Sequence, residues 1–368
     1  MADLTLAYIV GARPNFVKTA PVVRALRHCL PDARHIVINT GQHYDREMAE
    51  IFFEELEMPA PTHELGVGSG AHGAQTAKAL ERIEEVLLAE RPDAVLVPGD
   101  VNSTLAGALA AVKLGIPVGH IESGLRSFDR TMPEEINRLL TDQLSAWLFT
   151  HSPEALVNLE REGIPAERVH LVGNTMIDTL HAIRPRVEHS TIHSRLEIEP
   201  GSYCLVTLHR PALVDGALLP RAMAALERLA ATLPVVFPMH PRTRARLGAA
   251  LPTAPGLTIT GPIGYVDFLA LELRARCVVT DSGGVQEETT SLGVPCFTLR
   301  ANTERPVTIT QGTNHLLGLA PEEIDGVPAL LAEAEGRPAS LQPEGWDGHA
   351  AERLADVLVR DLVRRAGA

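Results

Sequence analysis

Short apolar runs of strand length alternate with helix-like stretches along almost the whole chain. In the first half the runs are Leu4 to Val10, His35 to Asn39, Ala94 to Val97, Pro117 to Ile121 and Trp147 to Thr150. In the second they are Cys204 to Leu208, Val235 to Pro238, Leu257 to Thr260, Cys277 to Thr280 and Cys296 to Leu299. Near-continuous apolar runs suit strands covered on both faces, as in parallel sheets. Parallel neighbours also need a crossover between them, usually a helix, so strand and helix must alternate. The pattern begins afresh around Val169 to Gly173. About ten strands is the usual limit of one open sheet, and 368 residues suffice for two domains. The expected fold class is therefore α/β, with two Rossmann-like domains facing a central cleft. The first is expected over 1–172, joined by the C-terminal helix 350–368, and the second over 173–349.

Helices are expected over Phe16 to Leu30, Asp45 to Leu56, Thr76 to Glu90, Ser152 to Glu162 and Ala350 to Arg365. The third carries Leu80, Ile83, Val86 and Leu87 as an apolar stripe, with Glu81, Arg82, Glu84 and Glu85 on a solvated face. For the fourth, Ser152 is placed to cap the start, Pro153 to fill the first turn and Gly163 to close the end. The segment Arg184 to Gly201 is polar and ends in Glu-Pro-Gly, so it reads as a surface connection.

Lys plus Arg number 33 against 46 Asp plus Glu, a net charge of −13, which argues against nucleic acid or an anionic membrane as partner. The N-terminal MADLTLAYIVGARPN lacks a basic lead and a small-residue cleavage site, and reads as a first strand rather than a signal peptide. No run approaches the ~20 apolar residues that span a bilayer. Cys29, Cys204, Cys277 and Cys296 are scattered, without a CxxC pair, which points to a reducing, cytoplasmic compartment and no disulfides. Fifteen histidines occur without HExxH or a comparable ligand spacing, so no metal is expected.

The stretch from Pro98 to Asp142 carries acids where a parallel sheet does its chemistry. Asp100 follows the run Ala94 to Val97 and Glu122 follows Pro117 to Ile121, so both stand at strand carboxyl ends, where ligand crevices form. Glu134 and Glu135 open the next helical stretch, and spacing alone does not separate them. Each acid could cap a helix or pair with an arginine; together they suit general acid–base work. After the first strand, Gly11 allows a sharp turn and sets Arg13 and Lys18 where an anion would lie, although neither GxxxxGK[ST] nor GxGxxG is present. In the second half Ser282, Gly283 and Gly284 stand between a strand and a helix, an arrangement whose backbone amides and helix dipole suit a diphosphate. Glu288, one turn on, suits a vicinal diol such as a ribose. Arg305, in Thr303-Glu304-Arg305-Pro306, adds a cation, and His209-Arg210 closes another strand as phosphate ligands or an acid.

Nine ordered segments, GARPNFVK from Gly11, TGQH from Thr40, Gly99-Asp100, HIESGLR from His120, PEEINR from Pro133, GNTMID from Gly173, His209-Arg210, DSGGVQEE from Asp281 and TERP from Thr303, resemble the non-hydrolysing UDP-N-acetylglucosamine 2-epimerases. The resemblance covers about residues 5 to 318. It implies the GT-B glycosyltransferase-like fold with a UDP-sugar in the interdomain cleft, a homodimer, and no cofactor. It implies reversible epimerisation at C2 of UDP-N-acetylglucosamine to UDP-N-acetylmannosamine, supplying sugars for surface polysaccharide. The route is elimination of UDP to a 2-acetamidoglucal, then re-addition.

By the same resemblance Asp100, Glu122, Glu134 and His209 match the catalytic positions, Glu134 being preferred to Glu135 on that ground alone. Glu288 matches the ribose ligand and Phe268 the ring stacked on uracil, while Gln42, His43 and His240 match an allosteric UDP-sugar site. Two departures stand out. Pro211 to Asp215 replace an Arg-Glu-Asn that often follows His209-Arg210 and supports the histidine, and Ala74 stands where an arginine of the allosteric site is common. A hydrolysing 2-epimerase, a 2-epimerase of a 3-acetamido or uronic acid derivative, a glycosyltransferase and a UDP-sugar sensor are the competing readings.

Overall fold

A computed structural model of the protein describes residues 4–41, 53–248, 251–335 and 342–366. Gln42, His43 and most of the expected helix Asp45 to Leu56 lie outside them. The chain divides into two compact units. Unit 1 comprises Met1–Ala182 with Glu344–Ala368, and unit 2 comprises Ile183–Pro343.

Unit 1 holds a seven-stranded sheet of β1 (Thr5–Val10), β2 (Arg34–Asn39), β3 (His63–Glu64), β4 (Ala94–Pro98), β5 (Val118–Ser123), β6 (Trp147–Thr150) and β7 (Val169–Leu171). The order is β3-β2-β1-β4-β5-β6-β7 and every pairing is parallel. β1, β4, β5 and β6 are buried at every position, as two helical layers demand. On one side Ile9, Ile38, Val95 and Val97 pack with Ile83 and Leu87 of the helix His72–Glu90 and with alanines of the helix Asn102–Lys113. The order reverses between β1 and β4, so the loops after β1, β4 and β5 open at the switch point where such sheets bind ligands.

The helix Arg13–Cys29 contains Pro21. Proline removes the bond its nitrogen would give to Val17 O. Thr179 Oγ1 donates to that carbonyl at 2.6 Å, so the orphaned acceptor is satisfied from 162 residues away. The C-terminal helix Ala350–Ala366 belongs to unit 1. Asp178 accepts from the Ala350 and Ala351 amides at its start, and Trp147 Nε1 donates to Asp361 near its end.

Unit 2 holds β8 (Cys204–Thr207), β9 (Val235–Pro238), β10 (Leu257–Thr260), β11 (Cys277–Thr280), β12 (Cys296–Thr298) and β13 (Asn314–Leu316). The order is β10-β9-β8-β11-β12-β13, again all parallel. This is the 3-2-1-4-5-6 order of the Rossmann sheet, and the expected pair of parallel α/β units is present. Cys204, Cys277 and Cys296 are buried free thiols, and burial pushes Cys296 up to about 12.

Three details differ from the sequence reading. β3, β7 and β13 were not expected, because two or three residues carry no periodicity and take their pairing from a neighbouring strand. Arg184 to Gly201 is largely helical: the helix Thr175–Glu188 runs through Pro185, and Ile192–Leu196 adds a short helix anchored by buried Ile192. Ser152 occupies the cap position, but its hydroxyl makes no capping bond.

Candidate active site

In unit 1 the charged residues at the strand ends meet in pairs. The Lys18 ammonium lies 2.6 Å from a Glu122 carboxylate oxygen, both side chains buried. Glu122 takes a left-handed φ of 68°, beside an irregularity in the β5–β6 register. A non-glycine residue held there stores of order 1–3 kcal/mol of strain, a feature that clusters at functional sites. Gly11 must be glycine for a different reason, since a Cβ would strike the Thr40 and Ser103 hydroxyls. Asn15 fixes the turn by accepting from the Gly11 and Ala12 amides and donating to Pro98 O. Arg13 is half-buried; burial lowers its guanidinium from the ordinary value, against the opposing charge of Glu55.

Asp100 pairs with Arg138 at 2.5 Å, and its carbonyl accepts from Asn137 Nδ2 at 2.9 Å. Both partners come from the helix Pro133–Leu144, whose buried face is the polar one: Glu135, Asn137, Arg138, Thr141 and Asp142. Glu135 accepts from the Ser127 amide and hydroxyl, the Phe128 amide and Arg138. Glu134, half-exposed in the first turn, has no hydrogen-bond or ion-pair partner among the described residues. The geometry thus separates two neighbours that spacing could not: Glu135 is a buried clamp, and Glu134 is available.

Behind these pairs lies a network the sequence did not reveal. His120 Nε2 faces Gly99 O at 2.7 Å, so that nitrogen must donate, while Nδ1 meets Asp142 at 2.6 Å. Asp142 also accepts from Arg126 and from the Gly124 amide, and Arg126 forms a two-pronged pair with Glu162. Burial acts to raise the Asp142 carboxyl, but His120 and Arg126 outweigh it and hold it below the usual carboxylate range. The network holds the Gly99–Asp100 loop from beneath. Asp142 could have been suspected from its i, i+4 relation to Arg138 and its i, i+7 relation to Glu135.

Unit 2 gathers a second constellation at its own strand ends. Asp281, buried after β11, accepts from the His209 and Arg210 amides and stands 3.1 Å from His209 Nδ1. Burial raises its carboxyl, but His209 and the amides more than offset this and hold it below the ordinary value. The support for His209 that the Pro211 to Asp215 departure removes is therefore supplied by Asp281. The His240 ring lies 5.9 Å from that of His209, and its Nδ1 accepts the Arg242 amide at the start of the helix Pro241–Leu247.

Ser282 caps the helix Gly283–Leu292 without a side-chain bond, leaving first-turn amides at Gly283 and Gly284. A Cβ on Gly283 would lie 2.6 Å from Arg305 Nη1, so the missing side chain seats that guanidinium against the helix start. Arg305 pairs with buried Glu287 at 3.0 Å and with Glu304 at 3.3 Å, and Arg210 reaches Glu304 at 4.0 Å. Burial raises Glu304, but Arg300, Arg305 and Arg210 hold it far below its usual range. Glu288 is buried and accepts from Tyr265 Oη at 2.6 Å. Burial first, then the Glu287 charge, push its carboxyl up to about 7 against the Tyr265 and Glu272 hydrogen bonds. Phe268 lies half-buried on the helix Tyr265–Leu273. Glu272 and Glu287 went unnoticed as site residues; the signal was an acid in the apolar run Phe-Leu-Ala-Leu-Glu-Leu. No group of three or more His, Cys, Asp or Glu among the described residues is arranged to hold a metal ion.

Two parallel Rossmann sheets, with acids at the strand ends of one and a glycine-rich helix start after a strand of the other, define an α/β enzyme of the GT-B fold class. The family model described as UDP-N-acetylglucosamine 2-epimerase matches residues 27–359, and the chain belongs to that family. It is 44% identical over 368 residues to the UDP-N-acetylglucosamine 2-epimerase of Methanocaldococcus jannaschii, covering 96% of this chain and 99% of the relative. A crystal structure of a UDP-GlcNAc 2-epimerase from that organism, in complex with UDP-GlcNAc and UDP, superposes with a TM-score of 0.90 at 41% identity, covering 97% of this chain and 100% of the other. Equally extended is the likeness to the UDP-2,3-diacetamido-2,3-dideoxy-D-glucuronate 2-epimerase of Pseudomonas aeruginosa, 41% identical over 96% of this chain and 98% of the relative. No described helix is long and apolar enough to cross a membrane.

Proposed function

We propose that this enzyme interconverts UDP-N-acetylglucosamine and UDP-N-acetylmannosamine without hydrolysis. The C2 proton passes to a carboxylate, the C1–O bond breaks, and UDP departs with its electron pair to leave a 2-acetamidoglucal. A proton then returns to C2 from the other face, the C1–O bond re-forms, and no electrons are gained or lost overall. The observation that carries the reading is the arrangement of unit 1: Asp100 and Glu122 are each held against a cation, and Glu134, without a partner among the described residues, opens the helix that supplies Arg138. These three are the proton-transfer candidates, each worth roughly 10²–10⁴-fold in such a role. His209, oriented by Asp281, acts with them.

Departing UDP gathers negative charge. Arg13, Lys18 and Arg210, the Ser282–Gly284 turn and Arg305 are the groups proposed to stabilise it. Glu288 takes the ribose diol and Phe268 the uracil, while His240 belongs to an allosteric UDP-sugar site. The enzyme is proposed to work in the cytoplasm as a homodimer, and light scattering after size exclusion tests the latter. Turnover of UDP-N-acetylglucosamine in D₂O is expected to place deuterium at C2 of both epimers. Unlabelled product refutes the proton-transfer route, and free N-acetylmannosamine accumulating with UDP refutes the non-hydrolysing one.

A second substrate is favoured by one observation, the identity shared with the P. aeruginosa enzyme. NMR of a panel containing UDP-N-acetylglucosamine and its 3-acetamido and uronic acid derivatives decides between them by relative kcat/KM.

A further inference from the structure

Unit 2 holds a buried acid that the proposed reaction does not use. Glu272 lies on the helix Tyr265–Leu273, fully buried among apolar neighbours in sequence. Neither of its oxygens meets a hydrogen-bond donor among the described residues. Its polar contact is the carboxyl of Glu288, on the helix Gly283–Leu292. A lone carboxylate in such a place is costly, and two carboxyl groups can hydrogen-bond only if one carries a proton. Buried carboxyl pairs retain one because like charges in contact cannot both ionise readily.

Tyr265 sets the direction of sharing. Its hydroxyl donates to Glu288 Oε1 at 2.6 Å, which makes Glu288 the better supported anion and Glu272 the holder of the proton. The remaining groups facing the pair are Glu287, which Arg305 approaches at 3.0 Å, the Tyr203 hydroxyl and the Cys296 thiol. Burial keeps the last two un-ionised.

We propose that Glu272 is a positioning residue: by holding a proton against Glu288 it keeps Glu288 anionic and directed at a vicinal diol, the ribose of a nucleoside diphosphate. The proposal rests on unit 2 being the nucleotide-binding half. An ionised carboxylate accepts at every lone pair, whereas a carboxylic acid gives up part of that capacity. With Glu288 raised to about 7, the empty pair takes up a second proton below neutrality, and a diol that needs the anion must expel it. UDP binding then releases a proton near pH 7 and tightens towards pH 8.

The test is calorimetric titration of the full-length protein with UDP and with 2′-deoxy-UDP, at pH 6 and pH 8, in two buffers of different ionisation enthalpy. Glutamine in Glu272→Gln keeps a donor for Glu288 without a removable proton, whereas Glu272→Leu keeps neither. Wild type is expected to bind UDP about tenfold more tightly at pH 8 than at pH 6, with proton release, and to show a weaker dependence for 2′-deoxy-UDP. Glu272→Gln should reproduce the wild-type pH profile within about threefold at each pH, because glutamine donates to Glu288 as the protonated acid does and leaves Glu288 to titrate. Glu272→Leu should weaken UDP binding about tenfold at pH 8. A pH profile of Glu272→Gln displaced from that of wild type by about one unit or more, which would show that Glu272 carries charge, or equal losses in both variants, overturn the proposal. If Glu272→Leu fails to fold, wild type against Glu272→Gln still decides. Wild type that binds no UDP at either pH overturns the nucleotide-binding role of unit 2 itself.

Discussion

Replacing Asp142 by asparagine probes whether the buried charges behind the acids act as one network. Asp142 is fully buried and accepts from His120 at 2.6 Å, Arg126 at 2.7 Å and the Gly124 amide at 3.1 Å. An amide keeps the shape but removes the charge between His120 and Arg126, and turns one N–H group towards a donor. Breaking a buried charge pair costs about 3–5 kcal/mol. Arg126 retains Glu162, so the lower end applies, about 3 kcal/mol. Both tryptophans of the chain, Trp147 and Trp346, are buried in unit 1, so their fluorescence in urea reports the unfolding of that unit alone. With a slope of about 2 kcal/mol per molar, the midpoint should fall by about 1.5 M. The pH dependence has a definite sign. Because the folded carboxyl lies below its ordinary value, its stabilisation is complete above about pH 4 and is lost only as pH falls through the lower folded value. The gap between wild type and Asp142→Asn should stay constant from pH 8 to pH 5. A midpoint change under about 0.5 M, or a gap that narrows between pH 8 and pH 6, refutes the reasoning.

Glu134→Gln should leave the urea midpoint of unit 1 within about 0.5 kcal/mol of wild type while cutting kcat by about 10²-fold or more. Glu135→Gln should do the reverse in emphasis, costing about 3 kcal/mol through its four lost or weakened bonds. Lys18→Met removes the cation that buried Glu122 meets and should destabilise unit 1 by about 3 kcal/mol. Adding Glu122→Gln should recover part of that loss, and a strictly additive double variant would show that the pair is not coupled. Relative to wild type, Asp178→Asn should gain about 1–3 kcal/mol between pH 4 and pH 8, since burial lifts Asp178 from near 4 to about 6, set against a pH-independent cost of about 1 kcal/mol for turning an N–H towards one of the two amides that Asp178 accepts from. A folded value above the unfolded one means that stability falls as pH climbs from about 4 to about 6. The gain of the variant should therefore be absent at pH 4 in the same fluorescence assay.

Most strands were legible because β1, β4, β6, β8 and β11 are apolar nearly throughout, and burial on both faces demands that. The site loops were legible for a related reason: a parallel sheet delivers whatever follows its strands to one end, so Gly11, Asp100 and Glu122 could be grouped in one unit, and His209 and Ser282 in the other, from position alone. Side-chain partners were not legible, because they depend on residues distant in the chain. Nothing near Pro21 announces that Thr179 will answer its missing bond, and nothing near His209 announces Asp281, 72 residues on. Glu134 and Glu135 differ only by the 100° turn between successive helical residues, which buries one and exposes the other.

The two units neutralise their buried acids differently, and this bears on how activity must depend on pH. In unit 1 each buried or half-buried acid of the network meets a cation: Glu122 with Lys18, Asp100 and Glu135 with Arg138, Asp142 with His120 and Arg126. In unit 2 Glu287 and Glu304 share Arg305, whereas among the described residues Glu272 and Glu288 meet each other and the Tyr265 hydroxyl, with no cation against either. A pair balanced by an arginine or lysine holds its charge through neutrality, but a pair balanced by a proton changes charge when that proton is gained or lost. The limb that this pair gives the kcat/KM profile near pH 7 therefore belongs to unit 2 and, on the proposed reading, reports nucleotide capture, since kcat/KM senses groups of the free enzyme. The profile of kcat, taken at saturating substrate with the pair already committed, should lack that limb. Glu272→Gln should leave that limb in place, because glutamine still donates to Glu288, whereas Glu272→Leu, which removes the donor, should move it to higher pH. A limb near pH 7 that survives in kcat places the titrating group among the residues proposed to handle the sugar, His209 included, instead.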